Sequence, residues 1–235
     1  MTTDTPTTML HADRTRAALV HGAKLPWLHS PEPGVERRML ERAGGEVALA
    51  TSIVRYAPNS RFAAHGHALG EEFLVLEGTF SDEHGHYPPG TYVRNPPESR
   101  HAPFSDAGCV ILVKLRQMHP ADQHAVRAFA HDRVWHRVSA TREVCVLHQA
   151  DGRTVQLEKL TPGGELALGG TTDAQELFVV DGAALLHDGE PTVLERWSWL
   201  RWPHDAAARI STPGGALLWT QRGHLPLGSD AASQR

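Results

Sequence analysis

Apolar and polar positions change over along this chain in short runs of strand length, with glycine and proline between them. From residue 35 onward such runs cover 36–41, 47–56, 71–76, 91–94 and 109–115. Pro58-Asn59-Ser60, Tyr87-Pro88-Pro89-Gly90 and Asn95-Pro96-Pro97 separate them as turns, and the stretch from Gly78 to Gly85 reads as a hairpin with a polar tip. Short strands bounded by turn residues, with hardly a helical period among them, predict an all-β barrel or sandwich. A short helix over 14–20, an extended arm over 27–34 and one helical turn in a polar, His-rich connector are the expected departures. The expected divisions are a flexible segment 1–24, a β-domain 25–117, a connector 118–135, a second β-domain 136–225 and a flexible tail 226–235.

The two β-domains repeat one pattern. Ala57-Pro58 through His67 aligns with Thr161-Pro162 through Thr171, and Gly70 through Gly78 with Ala174 through Gly182, at a constant offset. After a three-residue insertion, Tyr92-Val-Arg94-Asn95-Pro96 meets Trp199-Leu-Arg201-Trp202-Pro203, and Gly108 through Leu112 meets Gly215 through Trp219. A fixed-period match of this kind marks duplication of a structural unit.

The candidate chemistry lies in the first copy. His65 and His67 are two residues apart, so on a strand both point to the same face. Gly70 permits a bend, after which Glu71 opens the next strand, so two imidazoles and a carboxylate aim at one point. Nitrogen and oxygen donors so placed outline a metal site. The second copy holds Gly169, Thr171 and Gln175 in these places, and Ala208 in the place of His101. All four polar groups disappear while the apolar strand pattern survives, which favours a discrete function confined to the first domain.

Other conspicuous residues read as structural. Glu72 persists as Glu176 and Arg94 as Arg201, which suits structural ion pairing. Cys109 sits in an apolar strand and reads as a small core residue. His84 and His86 lie on the polar hairpin tip, and His119, His124, His131 and His136 scatter without convergent spacing. Of Arg55 and Tyr56, neighbours on one strand, alternation lets one face the pocket. No phosphate loop, nucleophile elbow or Ser/His/Asp arrangement stands out.

Composition narrows the classes. A net charge of −4 with acids and bases interspersed gives no reason to expect nucleic acid or an anionic membrane as partner. Two cysteines, Cys109 and Cys145, with no CxxC pair, suit a reducing compartment. The first residues have no apolar core of a signal peptide, and no apolar run approaches the roughly 18 residues that span a bilayer. A soluble cytoplasmic protein is expected.

His65, His67, Glu71 and Gly78, followed by Pro88-Pro-Gly90 and His101, resemble the two motifs of the cupin superfamily. The long spacing before His101, with Gly70 through Gly78 and Tyr92 through Pro97, looks most like the ChrR-like cupins. The resemblance covers residues 27–117 and makes the second copy a degenerate cupin. It implies a bicupin of two tandem double-stranded β-helix (jelly-roll) barrels. It also implies one divalent metal per chain, held by His65, His67, Glu71 and His101. An octahedral metal with these ligands keeps two open positions, as Fe(II), Mn or Ni chemistry uses; tetrahedral zinc keeps none. Relatives include dioxygenases that cleave a C–C bond beside a carbonyl, which implies an Fe(II)-type enzyme acting on a small carbonyl or hydroxyketone compound. ChrR itself is an anti-sigma factor whose zinc-binding segment, with its CxxC, has no match here. Its cupin part gives the alternative, a non-catalytic metal-binding sensor, beside a third reading as a structural zinc site. Cupin barrels pair through strands or sheet edges, which implies a homodimer.

Overall fold

The computed structural model describes residues 7–45, 47–150, 152–169, 174–202 and 207–223. The expected tail 226–235 lies outside them. Among the described residues there is no α-helix, only strands, turns and two single 3-10 turns. Among these residues no helix is long and apolar enough to cross a membrane.

The strands fall into two compact units. In chain order they begin with β1 (Thr8–Leu10), β2 (Ala18–His21), β3 (Leu28–His29), β4 (Val35–Gly44) and β5 (Ala48–Tyr56). The short β6 (Ser60–Arg61) and β7 (His65–His67) precede β8 (Glu71–Gly78), β9 (Phe80–Asp82) and β10 (Gly85–Tyr87). Then come β11 (Tyr92–Asn95), β12 (Ser99–His101), β13 (Phe104–Ser105), β14 (Cys109–Leu115) and β15 (Val126–Ala128). All of these except β2 build the first unit. Its main sheet has the order β1-β4-β5-β14-β8-β11-β15, with β3 also on β4. The facing strands are β10-β9-β13-β6 and the pair β12-β7.

The second unit is built from β16 (His136–Ser139), β17 (Arg142–Ala150), β18 (Arg153–Leu160), β19 (Gly164–Leu168) and β20 (Gln175–Gly182). It continues with β21 (Ala184–His187), β22 (Thr192–Leu194), β23 (Ser198–Trp202), β24 (Ala208–Thr212) and β25 (Ala216–Arg222). Its sheets run β16-β17-β18-β25-β20-β23-β2 and β19-β24-β21-β22, the first unit's plan again. The repeat holds at the level of burial: β8 and β20, eight residues each, share one pattern in which five buried residues give way to an exposed end.

Each barrel closes around apolar side chains that alternate along the strands. Val54, Phe73, Val75, Phe80, Val93 and Ile111 are central in the first, and Leu166, Leu177, Val179, Leu200, Ile210 and Leu218 in the second. The glycine that ends β8 has a steric reason. Gly78 has φ +67°, and a Cβ there would lie 2.1 Å from the Gly108 carbonyl oxygen. Gly182 repeats the arrangement, with 2.4 Å to the Gly215 oxygen.

The N-terminal segment departs from the sequence reading. Residues 8–10 are a strand on β4, and residues 13–24 belong to the second unit, where Ala18–His21 pairs with β23. The expected flexible segment 1–24 and short helix over 14–20 are therefore corrected for the described residues. Ala18 and Val20 are buried with Leu19 between them, an alternating pattern that suits a strand covering an open sheet edge. The connector likewise contributes β15 to β11, followed by the expected helical turn at Ala130–Asp132. The two added strands are equivalent: Val126 faces Arg94 as Ala18 faces Arg201.

Candidate metal centre

β7 sends both of its histidine rings to one side. β12 runs antiparallel beside it, with His101 opposite His65 and Ser99 opposite His67, so a third ring joins them. One nitrogen from each of His65, His67 and His101 lies within 4.8 Å of the other two. The Nε2 atoms of His67 and His101 are 3.0 Å apart, and the three rings meet edge to face. Among the described residues this is the one such group of metal-binding side chains. The outward nitrogens are spoken for: His65 Nδ1 lies 3.0 Å from the Ala63 carbonyl oxygen, and His101 Nδ1 lies 3.2 Å from Asp82 Oδ2. Both partners accept only, so each Nδ1 donates its proton and leaves the Nε2 lone pair for a metal. The donor set fits a divalent ion.

Glu71 is delivered by the bend before it. Gly70 has φ +75°, and a Cβ there would strike Met118 Sδ at 2.3 Å. Glu71 is buried, with Oε2 at 3.6 Å from His67 Nε2 and 3.5 Å from His101 Nε2. It borders two members of the cluster, while the cluster proper is the three imidazoles. Asn95, opposite Glu71 in the ladder, donates to the same Oε2 at 2.9 Å.

A polar network behind these groups joins them to one guanidinium. Arg127 of β15 donates to Asn95 Oδ1 at 2.7 Å and to the Tyr87 hydroxyl at 3.1 Å. Tyr87 in turn donates to Asp82 Oδ1 at 2.9 Å, and the His84 backbone N–H donates to the same oxygen at 2.8 Å. Arg127 thus stands behind Glu71 through Asn95 and behind His101 through Tyr87 and Asp82. Burial alone would raise the Asp82 carboxyl, but the hydrogen bonds from His101, His84 and Tyr87 outweigh it and hold its pKa below the ordinary value. Burial also opposes charge on His101, yet the Asp82 hydrogen bond and the Glu71 charge raise its pKa; His67, where burial dominates, is lowered.

The second barrel gives the network a control. By strand register, Asp82 corresponds to Leu186, Tyr87 to Leu194, Asn95 to Trp202 and Arg127 to Leu19. These four second-barrel residues all pack in or against its apolar core. The histidine cluster, Glu71 and the residues that support them are therefore replaced together.

The centre opens on a cavity of about 510 Å³ bordered by His65, His67 and Glu71 and walled by the inward residues of β4, β5 and β14. Tyr56 is the residue of the 55–56 pair that lines it; Arg55 points the other way, bonded to Glu36 and stacked over Trp27. Burial and the Glu71 charge push the Tyr56 phenol well above its usual pKa, so it keeps its proton.

The structural readings hold elsewhere. Tyr92 donates to Glu72 at 2.6 Å, and Arg94 makes a buried ion pair with Asp122 at 2.6 Å. In the second barrel Arg201 instead donates to the Asp13 and Arg16 carbonyls. Cys109 is buried, its thiol pushed up to about 11 by that burial. His84 and His86 are exposed, His86 bonding Ser81. Asp82, Tyr87, Asn95 and Arg127 escaped the sequence reading. For the first three the repeat held the clue, polar in one copy and apolar in the other; Arg127 had none, because the strand equivalent to its own lies at the other end of the chain.

Residues 15–119 match the ChrR cupin-like domain family. The first barrel is thus similar to the ChrR cupin-like domain, and the second barrel repeats its strand plan without counterparts of His65, His67, Glu71 and His101. No curated protein sequence matches it. Among solved structures it is similar to a proposed dioxygenase from Nostoc punctiforme, at 13% identity and a TM-score of 0.68, over 94% of this chain and 84% of the other. Oxalate decarboxylase from Lactobacillus farciminis, in a formate complex, aligns at 11% identity and a TM-score of 0.64, over 89% and 87%. The Escherichia coli pirin YhhW with nickel(II) aligns at 11% identity and 0.64, over 90% and 100%. At these identities the likeness is one of fold.

Proposed function

We propose that the first barrel is a mononuclear, Fe(II)-type dioxygenase-like centre acting on a small carbonyl or hydroxyketone compound. His65, His67, His101 and Glu71 are its metal ligands in this reading. The observation that carries it is the convergence of one nitrogen from each of three imidazoles and a carboxylate edge on an open cavity, in a barrel whose twin has lost all four groups. A divalent ion there supplies Lewis-acid polarisation of a substrate oxygen and, if it is iron, electron transfer to dioxygen. The residues around it have separate tasks. Asp82 and the Ala63 carbonyl hold the two imidazoles in the tautomer that presents Nε2. Asn95 holds Glu71. Tyr56 keeps a proton to donate to a substrate oxygen, and the apolar wall of Val54 and Val113 excludes water.

Metal analysis of protein purified without oxygen tests this reading, followed by oxygen uptake with 1,2-dicarbonyl, 1,3-dicarbonyl and hydroxyketone compounds. About one iron per chain with uptake on one of them supports it; tightly held zinc without uptake overturns it. The match to the ChrR cupin-like domain favours a second reading, a metal-binding sensor. Recovery of a stoichiometric protein partner would move the assignment there, whereas a monodisperse homodimer in light scattering agrees with the first.

A further inference from the structure

The inward face of β4 carries arginine where a barrel wall ordinarily carries aliphatic side chains. Arg37 sits opposite Val54 and Arg42 opposite Ala50, and both line the cavity with Arg116. Three guanidinium groups face two carboxylates there, Glu32 and Glu71, before a divalent metal adds its charge. Arg42 is buried and donates to the Gly45 carbonyl. Arg116, at φ +59° immediately after β14, is fastened beside the centre by its backbone N–H on the Gly70 carbonyl. Arg37 is different. Its Nε is buried without a hydrogen-bond partner, and among the described residues no carboxylate lies within ion-pairing distance of it.

The second barrel shows what such a wall does when it has nothing to bind. By register, Val144 takes the place of Arg37 and Glu158 that of Val54. Glu158 is fully buried, and the inward Arg142 of that barrel grips it with two hydrogen bonds, at 2.8 and 2.9 Å. There the inward arginine has a carboxylate of its own. In the first barrel Val54 stands in the carboxylate's place and the space in front of it is open.

Building on the metal reading above, we propose that the ligand of the first barrel is a small acid with two anchoring ends. Its chelating oxygens face the imidazole cluster, and a second carboxylate, at the far end, pairs with Arg37. A guanidinium fork matches a carboxylate in two parallel hydrogen bonds, and a desolvated pocket strengthens the pairing. Distance permits it: Arg42 and Glu71 share one register row across β4, β5, β14 and β8. At ~4.8 Å per strand that row spans about 14 Å of curved wall, and the Arg37 row, through Val54, Ile111 and Val75, lies four β5 residues away, about 13 Å at ~3.3 Å per residue, so the long Arg37 side chain and the ligand together bridge the cavity that Arg37, His65, His67 and Glu71 all line.

The test uses the full-length protein loaded with Mn(II), a redox-silent probe, and isothermal titration with 2-oxoglutarate and 2-oxopentanoate. These acids share the chelating end and the chain length, and only the first carries the distal carboxylate. The expected result is at least tenfold tighter binding of the diacid. In Arg37→Gln the preference falls below threefold with circular dichroism and manganese content unchanged, and Arg37→Lys restores part of it by keeping the charge without the fork. Equal affinity for the two acids, failure of both to bind the manganese-loaded protein, or an undiminished preference in Arg37→Gln overturns the proposal. Absence of manganese uptake would instead overturn the metal reading. The same pair of acids titrated into metal-free protein then judges Arg37 alone, with a diacid preference supporting its role and none overturning it.

Discussion

Replacing Asp82 with asparagine would leave the three ligand rings in place but remove the acceptor that fixes the His101 tautomer. Outer partners of this kind typically govern metal affinity by 10–100-fold. Asp82→Asn is expected to weaken metal binding by about that factor, measured by competition with a chromophoric chelator, and His101→Ala to abolish stoichiometric binding. A second residue-scale expectation concerns Asp122, whose pKa is lowered to about 2 from 3.8. Burial would raise it, and the Arg94 hydrogen bonds outweigh that effect. A carboxyl depressed in the folded state adds stability that is complete above its unfolded pKa and fades as pH falls towards the folded value. Asp122→Asn, which strands the buried Arg94, is therefore expected to cost about 3 kcal/mol at pH 7. In urea unfolding, that deficit should stay level down to about pH 4 and narrow below it. The histidine pair itself was legible because an HxH on a strand puts both rings on one face. Asp82 was not, because a lone aspartate in a hairpin reads as a turn residue, and only tertiary pairing of β9 with β13 brings it behind His101.

Strand β15 is the element whose importance is hardest to see in sequence. It is three residues long and half-buried, yet it carries the guanidinium that connects Asn95 and Tyr87. Arg127→Leu copies Leu19, the residue the second barrel uses in that position, so the strand itself should persist. Asn95 and Tyr87 would each lose a charged partner, and a buried group left unsatisfied costs about 1–3 kcal/mol. The expected outcome is a folded protein with a lower melting temperature and weaker metal binding. Unchanged affinity would mean that Arg127 serves only packing. The main strands, by contrast, were readable almost to their ends: 109–115 is β14 and 71–76 the body of β8. Their hydrophobic runs are flanked by glycines whose backbone no other residue adopts comfortably. The edge strands β1, β2 and β15 were missed because short, polar or mixed segments pair only when a finished sheet offers them an edge.

At the scale of the molecule, the repeat made two barrels legible, and the absence of His65, His67, Glu71 and His101 from one of them pointed to the other for the candidate chemistry. What the alignment could not show is that residues 13–24 complete the second unit. Deleting residues 13–24, with residues 1–12 kept on a short Gly/Ser linker, is expected to strip β2 from β23, uncover Leu200 and deprive Arg201 of its two carbonyl acceptors while β1 stays on β4. Limited proteolysis should then cut the second unit first while metal content per chain stays near that of the full-length protein. Preferential loss of the first unit would contradict this division.

The same strand imposes an order on synthesis. His21 leaves the ribosome 177 residues ahead of Ser198, its hydrogen-bond partner in the second barrel. At about 5–20 residues per second that is a wait of ~10–35 s, during which the first barrel can form in full. The opening segment must stay unpaired throughout, although a newly made sheet edge of the same design stands next to it in the chain. In the finished fold Val126–Ala128 holds that edge. Once paired, the connector closes that edge to the early strand, and chains lacking Val126–Ala128 are expected to leave it open to Ala18–His21, read as an altered proteolytic pattern of residues 13–24.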